Sequence, residues 1–188
     1  MLITRALLLS ALGWLITISG PAQTVQEAEE PEFADVFMRL KAGKLIPLER
    51  ESGTGVVSTV FSVKFSTMLP LGKSPVRFRS SESLEFVVKA SALFAFGSGD
   101  PGSIYGLRRL TAKKDHREFV TSALGYGGLL GAKMKEVAHL PLDFAHYGDE
   151  SIKITVVGKL PRGEYALARM GPLVSPLGHQ SLFCFGVD

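Results

Sequence analysis

Residues 151–167, SIKITVVGKLPRGEYAL, indicate the fold class of this chain. In their first part, the apolar Ile152, Ile154 and Val156 alternate with polar residues. This period of two is typical of a strand that buries one face and exposes the other. Residues 160–163, LPRG, then form a turn, after which the chain returns as a second strand.

Similar strand and turn signals run through the chain from Phe33 onward. Phe61, Val63 and Phe65 alternate with polar residues, and glycine- or proline-bearing turns separate the apolar segments. We therefore predict an all-β domain of nine or ten short strands, built as an antiparallel β-sandwich of the immunoglobulin-like kind. A small β-barrel is the alternative architecture. A competing helix over 119–130 is disfavoured, because each glycine costs a helix interior about 1 kcal/mol relative to alanine.

Two local features sharpen this prediction. Val36, Met38 and Leu40 are expected to share one face of the first strand, over residues 35–40. Pro47 has no N–H for a strand ladder, so its strand is predicted to lie at a sheet edge.

The turn before the penultimate strand has a folding role in our interpretation. Pro161 fixes φ and starts the turn, and Gly163 can take a positive φ. Tyr165 and Leu167 then fall on the same face of the following strand. We interpret this segment as a folding device and not as a functional site.

The N-terminus has the order of a secretory signal. A start with one cation, Arg5, precedes an apolar stretch over 6–18 and the small residues of Gly20-Pro21-Ala22. The stretch is shorter than the roughly 20 residues that span a bilayer, which disfavours an uncleaved anchor. We predict cleavage near Ala22, a secreted or periplasmic location, and a mature chain without a transmembrane span.

The predicted organisation after residues 1–22, the signal peptide, has two parts. Residues 23–32 are acidic and nearly free of large apolar side chains, and are predicted to form a flexible leader. Residues 33–188 are predicted to form a single β-sandwich domain, a size that suits one sizeable core.

The charge of the chain is mild, with a formal net charge of +3. Arg108, Arg109, Lys113 and Lys114 cluster locally, but no long basic run is present. We interpret this cluster as a solvated strand face and expect no nucleic-acid partner. The single cysteine, Cys184, lies in an apolar run and is predicted to be a buried, inert thiol.

Histidine is the remaining candidate for metal chemistry. His139, Asp143 and His146 lie close in sequence and could bind zinc or iron if they converged. On one extended strand, however, His139 and Asp143 would share a face while His146 points the other way. Surface or turn histidines are therefore the favoured interpretation, and no cofactor is predicted.

Paired carboxylates could hydrolyse a glycosidic bond. The candidate pairs are Glu82 with Glu85 and Asp149 with Glu150, which are too near in sequence to be diagnostic. A hydrolase is a further alternative.

Segments at both ends of the chain resemble a group of uncharacterised exported bacterial β-rich proteins. Asp35-Val36-Phe37 and residues 43–49, GKLIPLE, resemble its start, and residues 85–88, EFVV, fit its middle. Residues 161–167, PRGEYAL, and 184–188, CFGVD, resemble its end. The resemblance implies export and a β-rich fold, and it carries no catalytic residues.

These observations favour an exported, non-catalytic module that binds or packs with other envelope components, with an envelope protein or a glycan as its partner. The flexible candidates for a binding surface are loops 97–102 and 124–131. In the alternative function, the apolar loop 124–131 meets lipid or a partner protein. Binding residues would then be Tyr126, Leu129 and Leu130, with Tyr147 as a further candidate for stacking on a sugar.

Overall fold

The computed structural model describes residues 29–58, 62–90, 99–125, 134–136, 139–170 and 181–188. Within these ranges the chain forms fourteen strands and one four-residue helix, α1. Their bounds are β1 Phe37–Lys41, β2 Lys44–Pro47, β3 Glu49–Ser52, β4 Thr54–Ser58, β5 Ser62–Pro70, β6 Arg77–Phe78, β7 Glu85–Lys89, α1 Pro101–Ile104, β8 Tyr105–Ala112, β9 His116–Gly125, β10 Met134–Glu136, β11 Leu142–Tyr147, β12 Ser151–Val156, β13 Gly163–Arg169 and β14 Ser181–Val187.

The strands form two sheets, which confirms the all-β prediction. A five-stranded sheet has the order β11-β12-β7-β1-β2. A nine-stranded sheet, which curls into a half-barrel, has the order β3-β14-β13-β8-β9-β5-β4, with β10 added to β9 and β6 added to β14. Among the described strands, only β6 and β14 pair in parallel. The other pairs are antiparallel, as predicted.

The strand count exceeds the nine or ten predicted, because the chain changes sheet within apparently continuous runs. Leu48 lies between β2, in the five-stranded sheet, and β3, in the nine-stranded sheet, and is buried in the core. Pro47 ends β2, which is an edge strand as predicted. The preceding hairpin turns at Ala42 and Gly43, with φ of 50° and 77°. Two left-handed residues are what a tight two-residue hairpin requires.

The main core lies between the two sheets. Phe185 is at its centre, with ring centroids 5.3 Å from Phe78, 5.3 Å from Phe86 and 5.7 Å from Tyr165. Tyr165 and Leu167 both face this core, as predicted for one face of their strand. The Tyr165 hydroxyl donates to the Pro161 carbonyl at 2.6 Å, which ties the strand to the turn before it.

A second core fills the curl of the nine-stranded sheet. Its buried members are Leu69, Leu110, Phe119, Ala166, Ala168, Leu182 and Cys184. The alternate residues of β13 and β14 therefore face two different cores. Both strands are buried on both faces, so the domain is more than a simple two-layer sandwich.

Two details of these segments are set by the tertiary structure. Met38 and Leu40 share one face of β1, as expected, but the buried residues Phe37 and Arg39 lie on its other face. The Arg39 guanidinium lies 4.0 Å from the centroid of the Phe78 ring and pairs with Glu82, which explains how it is buried. Gly163 does not take a positive φ.

The described end of the acidic segment lies against the domain, whereas residues 1–28, with the predicted signal, lie outside the described part. The Glu30 carboxylate accepts hydrogen bonds from the N–H groups of Asp149 at 2.6 Å and Glu150 at 3.2 Å, and from the Ser151 hydroxyl. In the part of the chain that the structure describes, no helix has the length and apolar character needed to cross a membrane.

Candidate functional site

Part of the predicted binding surface lies outside the described residues. Tyr126, Leu129 and Leu130 are in this group, so the binding role of loop 124–131 stays a prediction. Loop 97–102 is described from Gly99 onward, where the Asp100 carboxylate accepts from the Gly102 N–H at 3.2 Å and caps α1.

Tyr147 ends β11 and is half-buried opposite Ser151. Burial raises the pKa of its phenol, and the nearby carboxylates of Glu29 and Glu30 raise it further. The residue thus lies beside the acidic segment that precedes the domain.

The predicted metal ligands are not brought together. The His139 ring packs against Gly106 of β8, so closely that a Cβ at that glycine would lie 2.7 Å from His139 Nδ1. Its other ring nitrogen, Nε2, lies 2.8 Å from Arg108 Nη2. Because a guanidinium only donates, Nε2 accepts this hydrogen bond. Asp143 and His146 are exposed on β11, where a separation of three positions directs them to opposite faces. Among the described residues, no three His, Cys, Asp or Glu side chains are grouped to hold a metal.

The structure instead gathers charged residues from distant strands at one end of the curled sheet. Arg117 of β9 is completely buried and lies at the centre of this group. It donates to both carboxylate oxygens of Glu49 at 2.9 and 3.2 Å, and its Nη1 lies 3.9 Å from Glu164 Oε2. Burial is the largest single effect and opposes its charge, but the hydrogen bonds to Glu49 and the nearby negative charges of Glu49 and Glu164 together outweigh burial and raise its pKa.

Glu164 links Arg117 to a second arginine. Its side chain is 4% exposed, accepts from the Ser74 N–H at 2.8 Å and pairs with Arg77. Arg77 also donates to both carboxylate oxygens of Asp188. A Cβ at Gly186 would lie 1.6 Å from Arg77 Nη1, so only glycine leaves room for this guanidinium to cross β14. We call these residues, Glu49, Arg77, Arg117, Glu164 and Asp188, the ionic network.

Three carboxylates of the ionic network come from segments that are far apart in the sequence. Glu49 ends GKLIPLE, Glu164 lies in PRGEYAL, and Asp188 ends CFGVD. Sequence reasoning did not single out these three carboxylates. Their shared contact with two arginines gives them a structural role.

Cys184 lies beside this network in the second core. It is fully buried, as predicted, and burial raises the pKa of its thiol to about 12, although the Arg117 charge acts in the opposite direction. At neutral pH the thiol is protonated, and a protonated thiol is a poor nucleophile.

Arg117 also shapes the loop after β5. Its Nε donates to the Leu71 carbonyl at 3.1 Å, and Nη2 donates to the Pro70 carbonyl at 3.1 Å. Leu71 has a φ of 61°, a conformation that is costly for a residue with a branched side chain. The buried guanidinium turns these carbonyls inward, and the Leu71 side chain is left 59% exposed.

Two loops meet at this position. A Cβ on Gly72 would lie 2.3 Å from the Lys113 carbonyl oxygen and 2.8 Å from that of Lys114, so the loop after β5 packs directly on the β8–β9 turn. Lys73 and Arg162 both lower the pKa of Asp188, after the larger effect of Arg77, which locates them in the same region. We call the exposed residues Leu71, Lys73, Lys113, Lys114 and Arg162 the basic loop end.

Sequence reasoning did not single out the basic loop end as a surface. The prediction of a solvated strand face is wrong for Arg108, which is buried in β8, whereas Lys113 and Lys114 are exposed. The sequence feature that could have indicated this surface is Leu71, an apolar residue in a turn between Pro70 and Gly72, with Lys73 after it. Only the contact between the two loops shows that these side chains form one surface.

Comparison of the chain with protein-family models, with curated proteins and with solved structures found no match in any of the three.

Proposed function

We propose that the protein is an exported module that acts by binding at the cell envelope and carries out no reaction. The observation that carries this proposal is the basic loop end, an exposed apolar and cationic surface supported by the buried ionic network. Binding residues are commonly found on loops that a rigid scaffold holds in place. Arg117 provides such a support, because it fixes the carbonyls beneath Leu71.

The reactive types of side chain described near this end favour binding over catalysis. Glu49 and Glu164 are engaged by arginines, and Cys184 is buried as a protonated thiol. A general base or nucleophile needs access to a substrate proton or carbonyl. These three groups are used to stabilise the fold instead.

Export is the first part of the proposal to test. The full chain is expressed in a Gram-negative host, and the intact mass of the chain in the periplasm and medium is measured. We expect a chain that begins at or near Gln23. The matched control, Leu8→Arg with Leu9→Arg, interrupts the apolar stretch of the signal and should leave an uncleaved precursor in the cell. An uncleaved wild-type chain would contradict export by a cleaved signal.

Binding is tested on the same cells after lysis. The processed chain should sediment with the envelope fraction in low salt and should be released by high salt, because charge contacts at an exposed surface are screened. Lys113→Glu with Lys114→Glu should leave most of the chain in the supernatant. A wild-type chain that never sediments with the envelope would refute the proposed function.

A further inference from the structure

We infer that the basic loop end docks on an anionic phospholipid surface, with Leu71 entering the headgroup region and the four cations facing lipid phosphates. This inference rests on the proposed function and names its partner.

The conformation of Leu71 supports docking on a lipid surface. Its left-handed backbone is unfavourable for leucine, and the result is an apolar side chain exposed at the tip of a loop. Folding by itself gains nothing from this exposure. The conformation is held by two hydrogen bonds from a fully buried arginine, so the exposed position is built into the fold.

The cationic side chains around Leu71 also support docking on a lipid surface. Lys73, Lys113, Lys114 and Arg162 are exposed, and none of them forms an ion pair with an acidic residue in the described part of the chain. The two exposed acidic residues of the region are engaged separately. Asp188 is held by Arg77, and the Asp115 carboxylate oxygen Oδ1 lies 2.8 Å from His116 Nδ1.

An exposed leucine surrounded by exposed cations favours an anionic lipid surface as the partner. Lysines next to an anionic membrane attract it electrostatically, and an adjacent apolar side chain adds the free energy of transfer out of water. A nucleic acid would use the cations but would gain little from a leucine. A protein partner could use the same two features, and the flotation assay separates it from lipid.

The test uses the purified exported chain in flotation assays with two kinds of vesicle. One contains phosphatidylcholine alone, and the other contains phosphatidylcholine with phosphatidylglycerol. We expect binding to the anionic vesicles only. Lys113→Glu with Lys114→Glu should lower the partition constant by at least about 25-fold, since each lysine near such a surface contributes roughly five-fold. Leu71→Ser should lower it by roughly five-fold to ten-fold.

A matched control makes the same charge change on the other sheet. Lys41→Glu with Lys44→Glu removes two exposed lysines of the β1–β2 hairpin in the five-stranded sheet and should leave the partition constant close to that of the wild type. Equal losses in both double variants would overturn the inference, because net charge and not the basic loop end would then govern binding. Loss of binding in Leu129→Asp with Leu130→Asp, but not in the basic-loop-end variants, would also overturn it.

Failure of this inference is distinguishable from failure of the proposed function. If the chain sediments with envelopes but ignores anionic vesicles, the partner is not lipid and only the present inference fails. If the chain binds anionic vesicles but is not exported, the proposed function fails while the lipid surface stands.

Discussion

Replacement of Arg117 by methionine tests whether the buried ionic network stabilises this fold. The substitution removes a guanidinium that donates to both oxygens of Glu49 and to the carbonyls of Pro70 and Leu71. It leaves two carboxylates, at 9% and 4% side-chain exposure, without their central partner. Removing one partner of a buried pair costs about 3–5 kcal/mol. We therefore expect the free energy of unfolding to fall by that amount.

The assay is urea unfolding of the purified protein, followed by circular dichroism. Small domains have about 5–15 kcal/mol of stability in total, so Arg117→Met could prevent folding. Arg117→Lys is the second variant. It keeps the charge but loses the planar fork, and should cost about 2 kcal/mol. The matched control is Arg50→Met on β3, an exposed arginine whose loss should change stability by less than about 0.5 kcal/mol.

A double-mutant cycle with Glu49→Gln assigns the effect to the contact itself. We expect a coupling energy of at least about 1.5 kcal/mol between Arg117 and Glu49, as for close charge pairs that are removed from water. Should Arg117→Met cost less than about 1 kcal/mol, or no more than Arg50→Met, the ionic network does not stabilise the fold.

Three further predictions concern the same region. The Cys184 thiol, with a pKa raised to about 12 by burial, should resist iodoacetamide at mildly alkaline pH until denaturant is added, and rapid labelling of the native chain would contradict this. Burial and the Glu49 carboxylate raise the pKa of Glu51 above its ordinary 4.5, so the folded state favours the protonated form of this carboxyl. The stability that Glu51 contributes is therefore fully present below pH 4.5 and is lost as the pH rises through its folded-state pKa. Glu51→Gln should therefore raise the urea midpoint at neutral pH but not in acid, and an equal rise at both would argue against it. Tyr165→Phe removes the hydrogen bond to the Pro161 carbonyl and should cost about 1 kcal/mol in the same unfolding assay, whereas an unchanged midpoint would show that bond to be dispensable.

Local patterns were sufficient for most of the strand architecture. The alternation at Ile152, Ile154 and Val156 correctly predicted the strand β12, and these three apolar residues face the main core. Pro47 correctly predicted an edge strand, because a missing N–H is a property of the residue itself. The alternation of apolar and polar residues and the turn-forming residues act over a few positions, so both can be recognised in the sequence alone.

The charged residues could not be placed in the same way. Arg39 and Arg117 look like solvent-facing positions in their strands, yet both are buried. Their burial depends on Phe78 and Glu82 for the first, and on Glu49, 68 residues away in the chain, for the second. A buried charge is tolerated only when its partners are in place, and those partners come from other strands.

Most of the strands, their turns and the edge position of Pro47 could thus be predicted from local pattern, because backbone geometry and side-chain alternation are local properties. The curl of the large sheet around a second core, and the packing of the loop carrying Leu71 on the turn carrying Lys113, emerge only when the strands are assembled. Ion pairs and loop contacts depend on distances in space, and a pattern along one strand does not contain the distance to another.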